Sequence, residues 1–415
     1  MRRLTSLTSR SADVAARERL ILWHSQRLFA ASSGACAIGF AWLVHSLGYG
    51  PGPIAVALIC QLAPTIVSGR LAGSLRVLRH GRQRILAVSQ VLAAFACLAA
   101  MTSGTPAALI VIFLAAVVFG VARAVFDATS LDVIHHLVND QRKVESIRSL
   151  TARHGEGQIA GAVIALSAGA LAGPSAALAC AAVVAAAGGL CSLRHSDLID
   201  LVIGEKGPVA HEVRASLRVM ARERRTRTSQ VAGAIGAGLA GAQAALLIPW
   251  LVGGGAHLGR WVAPTLLSAV VGFWILRAPL ARLVRILSDR LAAALAFGGL
   301  SAGYLSIARV EDPRVLAMGY CLILLAFGIL AGLANNVRLQ ALSPDTGPAT
   351  GLAGAALWAA SGSLGAAGSA LLSGALAPGS VLIVMAALAA LAALAFYLWI
   401  TRPVPRRLLP LALRR

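Results

Sequence analysis

About twelve apolar runs, each near the ~20 residues that a helix needs to cross a hydrocarbon core roughly 30 Å thick, account for most of this chain. Their windows lie near 25–47, 52–74, 84–103, 106–127, 150–172, 174–193, 229–253, 259–281, 290–308, 314–338, 350–374 and 378–400. The breaks between them are too short for a folded soluble domain. Hydrophobic residues make up 58% of the chain, yet its formal charge is +21. Charge confined to short breaks and apolar residues everywhere else describe a protein whose solvent is lipid. A strand barrel would instead show ~10-residue segments of alternating polarity, and the runs do not alternate. The fold class that follows is an all-α integral membrane protein.

The positive charge is almost all arginine and is distributed by topology. Arg2, Arg3, Arg10, Arg17 and Arg19 precede the first run, and Arg76, Arg79, Arg82 and Arg84 separate the second from the third. Arg142, Lys143 and Arg148 precede the fifth, residues 214–227 crowd the central connector, and five arginines close the chain. The alternate connectors carry only Arg260, Arg309 and Arg314. This positive-inside bias places both termini in the cytoplasm, consistent with an even number of crossings. It also reads the arginines as topology signals near anionic lipid rather than as a nucleic-acid surface. The first ~20 residues carry charge throughout, unlike a cleaved leader. The six cysteines are scattered through apolar runs, without metal-ligand spacing or a disulfide framework. No phosphate-cradling Gly-x-x-x-x-Gly-Lys-Ser/Thr segment occurs. No cofactor and no enzymatic activity are expected.

The longest break, residues 194–228, divides the chain into two sets of six runs. The expected organisation is a cytoplasmic tail (1–24), a six-helix bundle (25–193), a linker (194–228), a second bundle (229–400) and a basic tail (401–415). Within the linker, Val213, Leu217 and Met220 recur at helical spacing among arginines, as in a helix lying on a membrane surface. Phe119-Gly120-Val121 in the fourth run returns as Phe327-Gly328-Ile329 in the tenth, about half the chain later. On that register Asp127 stands opposite Asn335 and Arg123 opposite Ala331. Parallel halves related by an axis along the membrane normal are a transporter architecture.

Several segments, in order, resemble the major facilitator superfamily, and in particular its branch of bacterial exporters similar to the enterobactin exporter. They are Gln61-Leu-Ala-Pro64 through Gly69-Arg-Leu-Ala72-Gly73, Gly120-Val-Ala-Arg123-Ala-Val-Phe126-Asp127, Gly161-Ala162 with Gly173-Pro174, and Ser343-Pro344-Asp345 before Gly351. The resemblance implies the major facilitator fold, two pseudo-symmetric six-helix bundles. It also implies efflux of a small amphipathic or hydrophobic organic molecule across the bacterial inner membrane by alternating access, through proton antiport. Three departures weaken the antiport expectation. Of the family's loop after the second helix, Gly73, Arg79, Gly81, Arg82 and Arg84 remain, but Val77 stands where an Asp is expected. Ala162 replaces the proline of a Gly-Pro step in the fifth helix. The loop after the tenth run lacks its arginines. Two other readings therefore stay open: an uncoupled facilitator, and a transporter-fold assembly, sensor or lipid-handling protein without flux. The expected partners are membrane lipid, a small-molecule substrate and protons, with no nucleic acid, and the expected state is a monomer.

Asp127 and Glu156 are the acidic residues read as lying in or at the edge of an apolar run, and an ionisable group at membrane depth is costly enough to imply a role. At 1.5 Å per residue, Arg123 lies roughly 24 Å down the fourth run and Glu156 roughly 25 Å from the outer end of the fifth. Equal depth on consecutive helices predicts an Arg123–Glu156 ion pair at the cytoplasmic gate, with Asp127 one turn beyond Arg123. Protonation of Glu156 would then couple proton movement to gating; a static pair is the alternative. Asn335, Asn336, Gln158, Gln243, Trp42 and Trp358 lie within runs and are candidates for lining the substrate cavity or for joining helices. Trp23, Trp250, Trp261 and Trp399 fall at expected interfaces as aromatic anchors. Small-residue steps such as Gly161 with Ala165 and Gly365 with Gly368 predict close helix packing.

Overall fold

The computed structural model describes residues 2–67, 81–102, 108–137, 140–194, 218, 220–222, 224–253, 262–309, 312–340 and 347–401. Among these lie α1 (Arg2–Ser46), α2 (Pro51–Ile66), α3 (Arg82–Met101), α4 (Ala108–Leu137), α5 (Asp140–Ala172) and α6 (Pro174–Ser192). After the linker come α7 (Arg224–Gly253), α8 (Val262–Ile286), α9 (Asp289–Arg309), α10 (Pro313–Gln340), α11 (Gly347–Ser373) and α12 (Pro378–Thr401). No strand is present among the described residues. Among the described residues ten helices are long and apolar enough to cross a membrane, and two shorter apolar stretches, Pro51–Ile66 and Leu267–Leu280, complete the twelve. Large apolar side chains such as Ile110, Leu114, Leu171, Leu364 and Leu371 project from the bundle surface. In water that surface would be untenable; in hydrocarbon it costs nothing.

The packing repeats. Within the first six helices α1 lies along α5 and α6, α3 along α4 and α6, and α2 along α4. Within the second six α7 lies along α11 and only touches α12, α9 lies along α10 and α12, and α8 along α10. Each contact has its counterpart six helices later. The halves meet chiefly through α2 with α11 and α5 with α8, joined by α1 and α2 against α7. The Phe-Gly repeat holds the same place in each half: Gly120 of α4 faces α2, and Gly328 of α10 faces Phe273 of α8. Helix ends are tied alike as well. Gln83 at the start of α3 donates to the carbonyl of Leu193 at the end of α6 (2.7 Å). Arg290 at the start of α9 donates to the carbonyl of Trp399 in the last turn of α12 (2.9 Å). Each bond satisfies a carbonyl that the helix itself leaves without a partner.

Glycine sets how closely the helices approach. A Cβ on Gly161 would fall on the carbonyl of Ala31, one on Gly34 on the carbonyl of Gln158, and one on Gly157 would come 2.5 Å from the carbonyl of Arg27. In the second half, Gly241 stands against the carbonyl of Gly362, and Gly365 against that of Gly238. The α1–α5 and α7–α11 pairs therefore touch backbone to backbone. Pro64 does related work in α2. It removes the N–H that would bond the Cys60 carbonyl, and the carbonyls of Cys60 and Gln61 lie where Gly120 of α4 comes in. A Cβ there would approach them to 2.9 and 2.6 Å.

Two expectations about the first segment change. Residues 2–24 continue α1 rather than standing apart as a tail, and the membrane-length part of that helix begins at Ala16. Glu18, read as a tail residue, is an acidic side chain on a helix long enough to span, and is only 2% exposed. The reason is tertiary. The start of α1 packs against the end of α6, where the Cys191 thiol points to the Ile21 carbonyl and Leu22 is fully buried. The second bundle likewise starts by Arg224 rather than residue 229. Of the apolar face of the proposed linker helix only Met220 has a described side chain, and it is buried, while Arg218, Ala221 and Arg222 are exposed; Val213 and Leu217 lie outside the described residues. The basic tail after Thr401 also lies outside them.

The glycine seams give a direct expectation. Gly161→Ala should lower the stability of the detergent-solubilised protein by about 1–3 kcal/mol, the usual cost of overpacking. Gly155→Ala, where a Cβ meets nothing within 4 Å, should be neutral or slightly stabilising by the helix preference for Ala. Thermal midpoints of the two variants, followed by size-exclusion chromatography after heating, measure the difference.

Candidate functional site

Three helices of the first half bring their polar residues together at one membrane face. Along α4, Asp127 is nineteen residues from Ala108, about 28 Å at the helical rise. Along α5, His154 is eighteen residues from Ala172, about 27 Å from the opposite end. Gln26 and Arg27 of α1 stand at the same level. The Arg27 guanidinium meets the Glu156 carboxylate at 2.7 Å (Nη2 to Oε2). Glu156 is 15% exposed and Arg27 46%, so the anion is sheltered while the cation reaches outward on its long stem. The Arg123 Nε lies 3.6 Å from Oδ2 of Asp127, one turn along α4. Gln26 joins the helices: its Nε2 lies 2.8 Å from Nδ1 of His154 and 3.4 Å from Oδ1 of Asp127. Beside them Arg153 stacks its guanidinium 4.4 Å above the Trp23 ring.

The expected Arg123–Glu156 pair is not made among the described residues. Both side chains reach the expected depth, but Glu156 points to α1 and pairs with Arg27, while Arg123 turns along its own helix to Asp127. Depth was legible from residue counts; azimuth was not. α5 lies along α1 through the Gly157 and Gly161 contacts, which brings Glu156 to Arg27 rather than to α4. Sequence reading passed over Gln26, Arg27 and His154. All three fell inside windows read as apolar runs, and that position alone was signal enough to single them out.

A second polar group lies between α1, α3 and α6. The Ser25 and Ser192 hydroxyls are 2.6 Å apart, and Gln90 Nε2 donates to both at 2.8 and 3.1 Å. Gly188 makes room, since a Cβ there would fall on the Gln90 amide oxygen. The two hydroxyls and the Gln90 Nε2 satisfy one another between helices, while the Gln90 Oε1 is buried without a hydrogen-bond partner.

The second half has a counterpart between α7, α10 and α11. Gln230 donates to the Ala334 carbonyl (2.8 Å), and the Trp358 indole lies against Gly233, its Nε1 3.0 Å from where a Cβ would stand. The Trp358 N–H and the Gln230 Oε1 are both buried without a hydrogen-bond partner. Asn335 and Asn336 follow Ala334 on α10, but their side chains lie outside the described residues. Among the other cavity candidates, Gln243 faces α9, where its Oε1 stands 3.4 Å from the Tyr304 hydroxyl, so it joins two helices of one bundle. The Trp42 ring lies over Gly169 of α5, filling a helix contact. Gln158 is partly buried, and its backbone meets Gly34. Of the loop remnants, Gly73 and Arg79 lie outside the described residues, as does Val77. Gly81 begins α3 with φ +96°, a conformation that favours glycine, and its carbonyl accepts from the Ile85 N–H. Arg82 is buried and Arg84 exposed. Ala162 follows the glycine that touches α1, so a close approach stands where the family has a proline-dependent bend. Among the expected interface anchors, Trp23 and Trp399 each carry an arginine over the ring, Arg153 and Arg290.

Two equivalent sets of six helices, meeting through α2 with α11 and α5 with α8, give the chain the major facilitator fold. Solved structures with which it shares that fold include the nucleoside transporter NupG, 14% identical with a TM-score of 0.64 over 93% of this chain and 100% of that one. The human organic anion transporter MFSD10 is 14% identical, with a TM-score of 0.60 over 92% and 99%. An auto-inhibited POT-family peptide transporter is 14% identical, with a TM-score of 0.63 over 94% and 98%. No family model and no curated protein matches the sequence.

The Arg27–Glu156 pair bridges α1 and α5, and its worth is measurable. Removing Arg27 (Arg27→Gln) should cost about 1 kcal/mol, limited because the arginine is half exposed. The charge-reversed double variant Arg27→Glu/Glu156→Arg should recover most of that loss in thermal midpoint. If each single variant and the double one are equally destabilised, the two side chains do not interact.

Proposed function

We propose that this protein is a secondary transporter that exports a small amphipathic or hydrophobic organic molecule across the cytoplasmic membrane by alternating access. The observation that carries the reading is the repeated packing of two six-helix halves that meet through only a few helices. Such halves can rock about the seam between them without repacking their interiors. The solved proteins that share the fold are transporters, which supports the same class of work here. Amphipathic cargo fits a chain whose apolar helices offer few uncommitted polar groups: among described side chains, the Trp358 N–H and the Gln230 Oε1 are such groups. The export sense rests on the resemblance of the Gln61–Gly73 and Gly120–Asp127 stretches to exporters. The arginine bias of alternate connectors supports cytoplasmic termini.

Proton antiport is the coupling we propose. Asp127, His154 and Glu156 sit at one end of α4 and α5, where they can gain or lose protons as the halves move. Glu156 would act through Arg27 rather than through Arg123: neutralising the carboxylate removes the ionic link between α1 and α5.

Purified protein in liposomes loaded with a pH-sensitive dye tests this. Amphipathic cationic dyes and uncharged amphipathic probes should be moved at rates that rise with an imposed proton gradient, with counter-movement of protons. Trp358→Phe, which removes the indole N–H together with its five-membered ring, should raise KM several-fold for probes that accept hydrogen bonds and by less for probes that do not. Flux indifferent to the gradient would mark a facilitator, and a Glu156→Gln variant with wild-type rates at every pH would exclude that residue from coupling. No flux of any probe would favour the assembly or sensor reading.

A further inference from the structure

Gln26 holds a position that one proton can reverse. Its amide nitrogen faces two groups at once, Asp127 Oδ1 on α4 and His154 Nδ1 on α5. A carboxylate can only accept, so Asp127 fixes which end of the amide stands there. His154 Nδ1 must then accept as well, and the imidazole is neutral with its hydrogen on Nε2. The other end of the amide, Oε1, is buried and has no hydrogen-bond partner. The arrangement leaves one acceptor unused next to a residue able to become a donor.

Adding a proton at Nδ1 turns that acceptor into a donor facing a donor. Half a turn of the Gln26 amide relieves the clash and brings the idle Oε1 onto the new N–H. The same rotation takes the amide N–H away from Asp127 and leaves an oxygen before the carboxylate. Asp127 has somewhere to go: the Nε of Arg123 is buried without a hydrogen bond, 3.6 Å from its Oδ2, and a small movement closes that gap. We infer that Gln26, Asp127 and His154 form a proton-binding site that latches α1 to α4, and that protonation transfers the carboxylate from α1 to the arginine of its own helix.

The surroundings suit a local switch. Among described side chains, the charges that act on His154 are Asp127 and Arg123 of α4. α1 contributes Arg27, already held by Glu156, with His24 exposed beside it and Arg17, the buried Glu18 and Arg19 about two turns earlier, while Arg153, next to His154 on α5, lies on Trp23. α6 carries no charged residue, and the charges of α8 and α10 are all arginines: Arg277, Arg282 and Arg285, and Arg314 and Arg338. Above the site the Phe29 ring of α1 packs on Phe126 (4.5 Å) and Phe119 (6.1 Å) of α4, so the helices stay joined while their polar ends part. The inference goes beyond the transport reading, because the latch operates without substrate.

Trp23, one turn from Gln26 and stacked under Arg153, is a built-in reporter. A variant keeping Trp23, with the other six tryptophans replaced by Phe and the neighbouring His24 by Gln, is placed in lipid nanodiscs and its emission followed against pH without substrate. A single titration, that of one histidine, is expected. His154→Gln should abolish it. Asp127→Asn should lower the midpoint by about one unit or more, since an anion that favours the charged imidazole is gone. Emission flat with pH in the parent would overturn the inference. So would a titration that survives His154→Gln, a midpoint unmoved by Asp127→Asn, or a titration lost in Glu156→Gln but kept in His154→Gln. Size-exclusion profiles identify a variant that has failed to fold, and the Asp127→Asn shift then decides alone. A negative liposome assay would leave this result standing, so the two readings fail separately.

Discussion

Backbone-to-backbone contact between helices is the interaction on which this architecture depends. Lipid chains are as apolar as leucine, so burying an apolar face against another helix gains little there, and cohesion must come from close packing and from polar groups meeting between helices. Gly34, Gly157 and Gly161 let α1 and α5 touch through their main chains, and Gly238, Gly241, Gly362 and Gly365 do so for α7 and α11. These two seams occupy equivalent places in the two halves. They set the rotation of each helix and hence the direction in which every polar side chain points.

The polar residues follow from that geometry. Because α5 is held against α1, Glu156 meets Arg27, His154 meets Gln26, and Arg123 is left to Asp127. In the second half the same trio of helices presents Gln230, the Ala334 carbonyl and Trp358, with no charge among those described side chains. One architecture thus carries an ionisable cluster in one half and a neutral, partly unpaired one in the other. That asymmetry suits a machine in which one half answers to protons while the other offers hydrogen-bonding groups to a ligand, the division of labour that we propose.

Much of the fold was legible in the sequence, because the requirement for backbone satisfaction in lipid leaves few options. The run of apolar windows identified twelve helices, and the Phe119-Gly120 and Phe327-Gly328 pair identified the repeat before any contact was known. Helix ends were less legible. α1 and α5 extend well beyond their apolar windows, since contacts with neighbours rather than hydropathy decide where a helix stops. Glu18 escaped notice for that reason, since it lies on the part of α1 that precedes its apolar window. The site was legible in depth but not in direction: a count of residues placed Arg123 and Glu156 at one level, and only the packing of α5 on α1 showed that they do not face each other.

The sequence by itself determined that this chain lives in a bilayer as twelve helices in two related sets, because apolar length, arginine placement and internal similarity are properties of the linear string. Only the tertiary structure decided which charge meets which, that Gln26 stands between a carboxylate and an imidazole, and that Gln243 serves its own bundle. A helix turns its side chains through a full circle every 3.6 residues. Which part of that circle faces a neighbour is settled by contacts between segments distant in the chain, and nothing local encodes it.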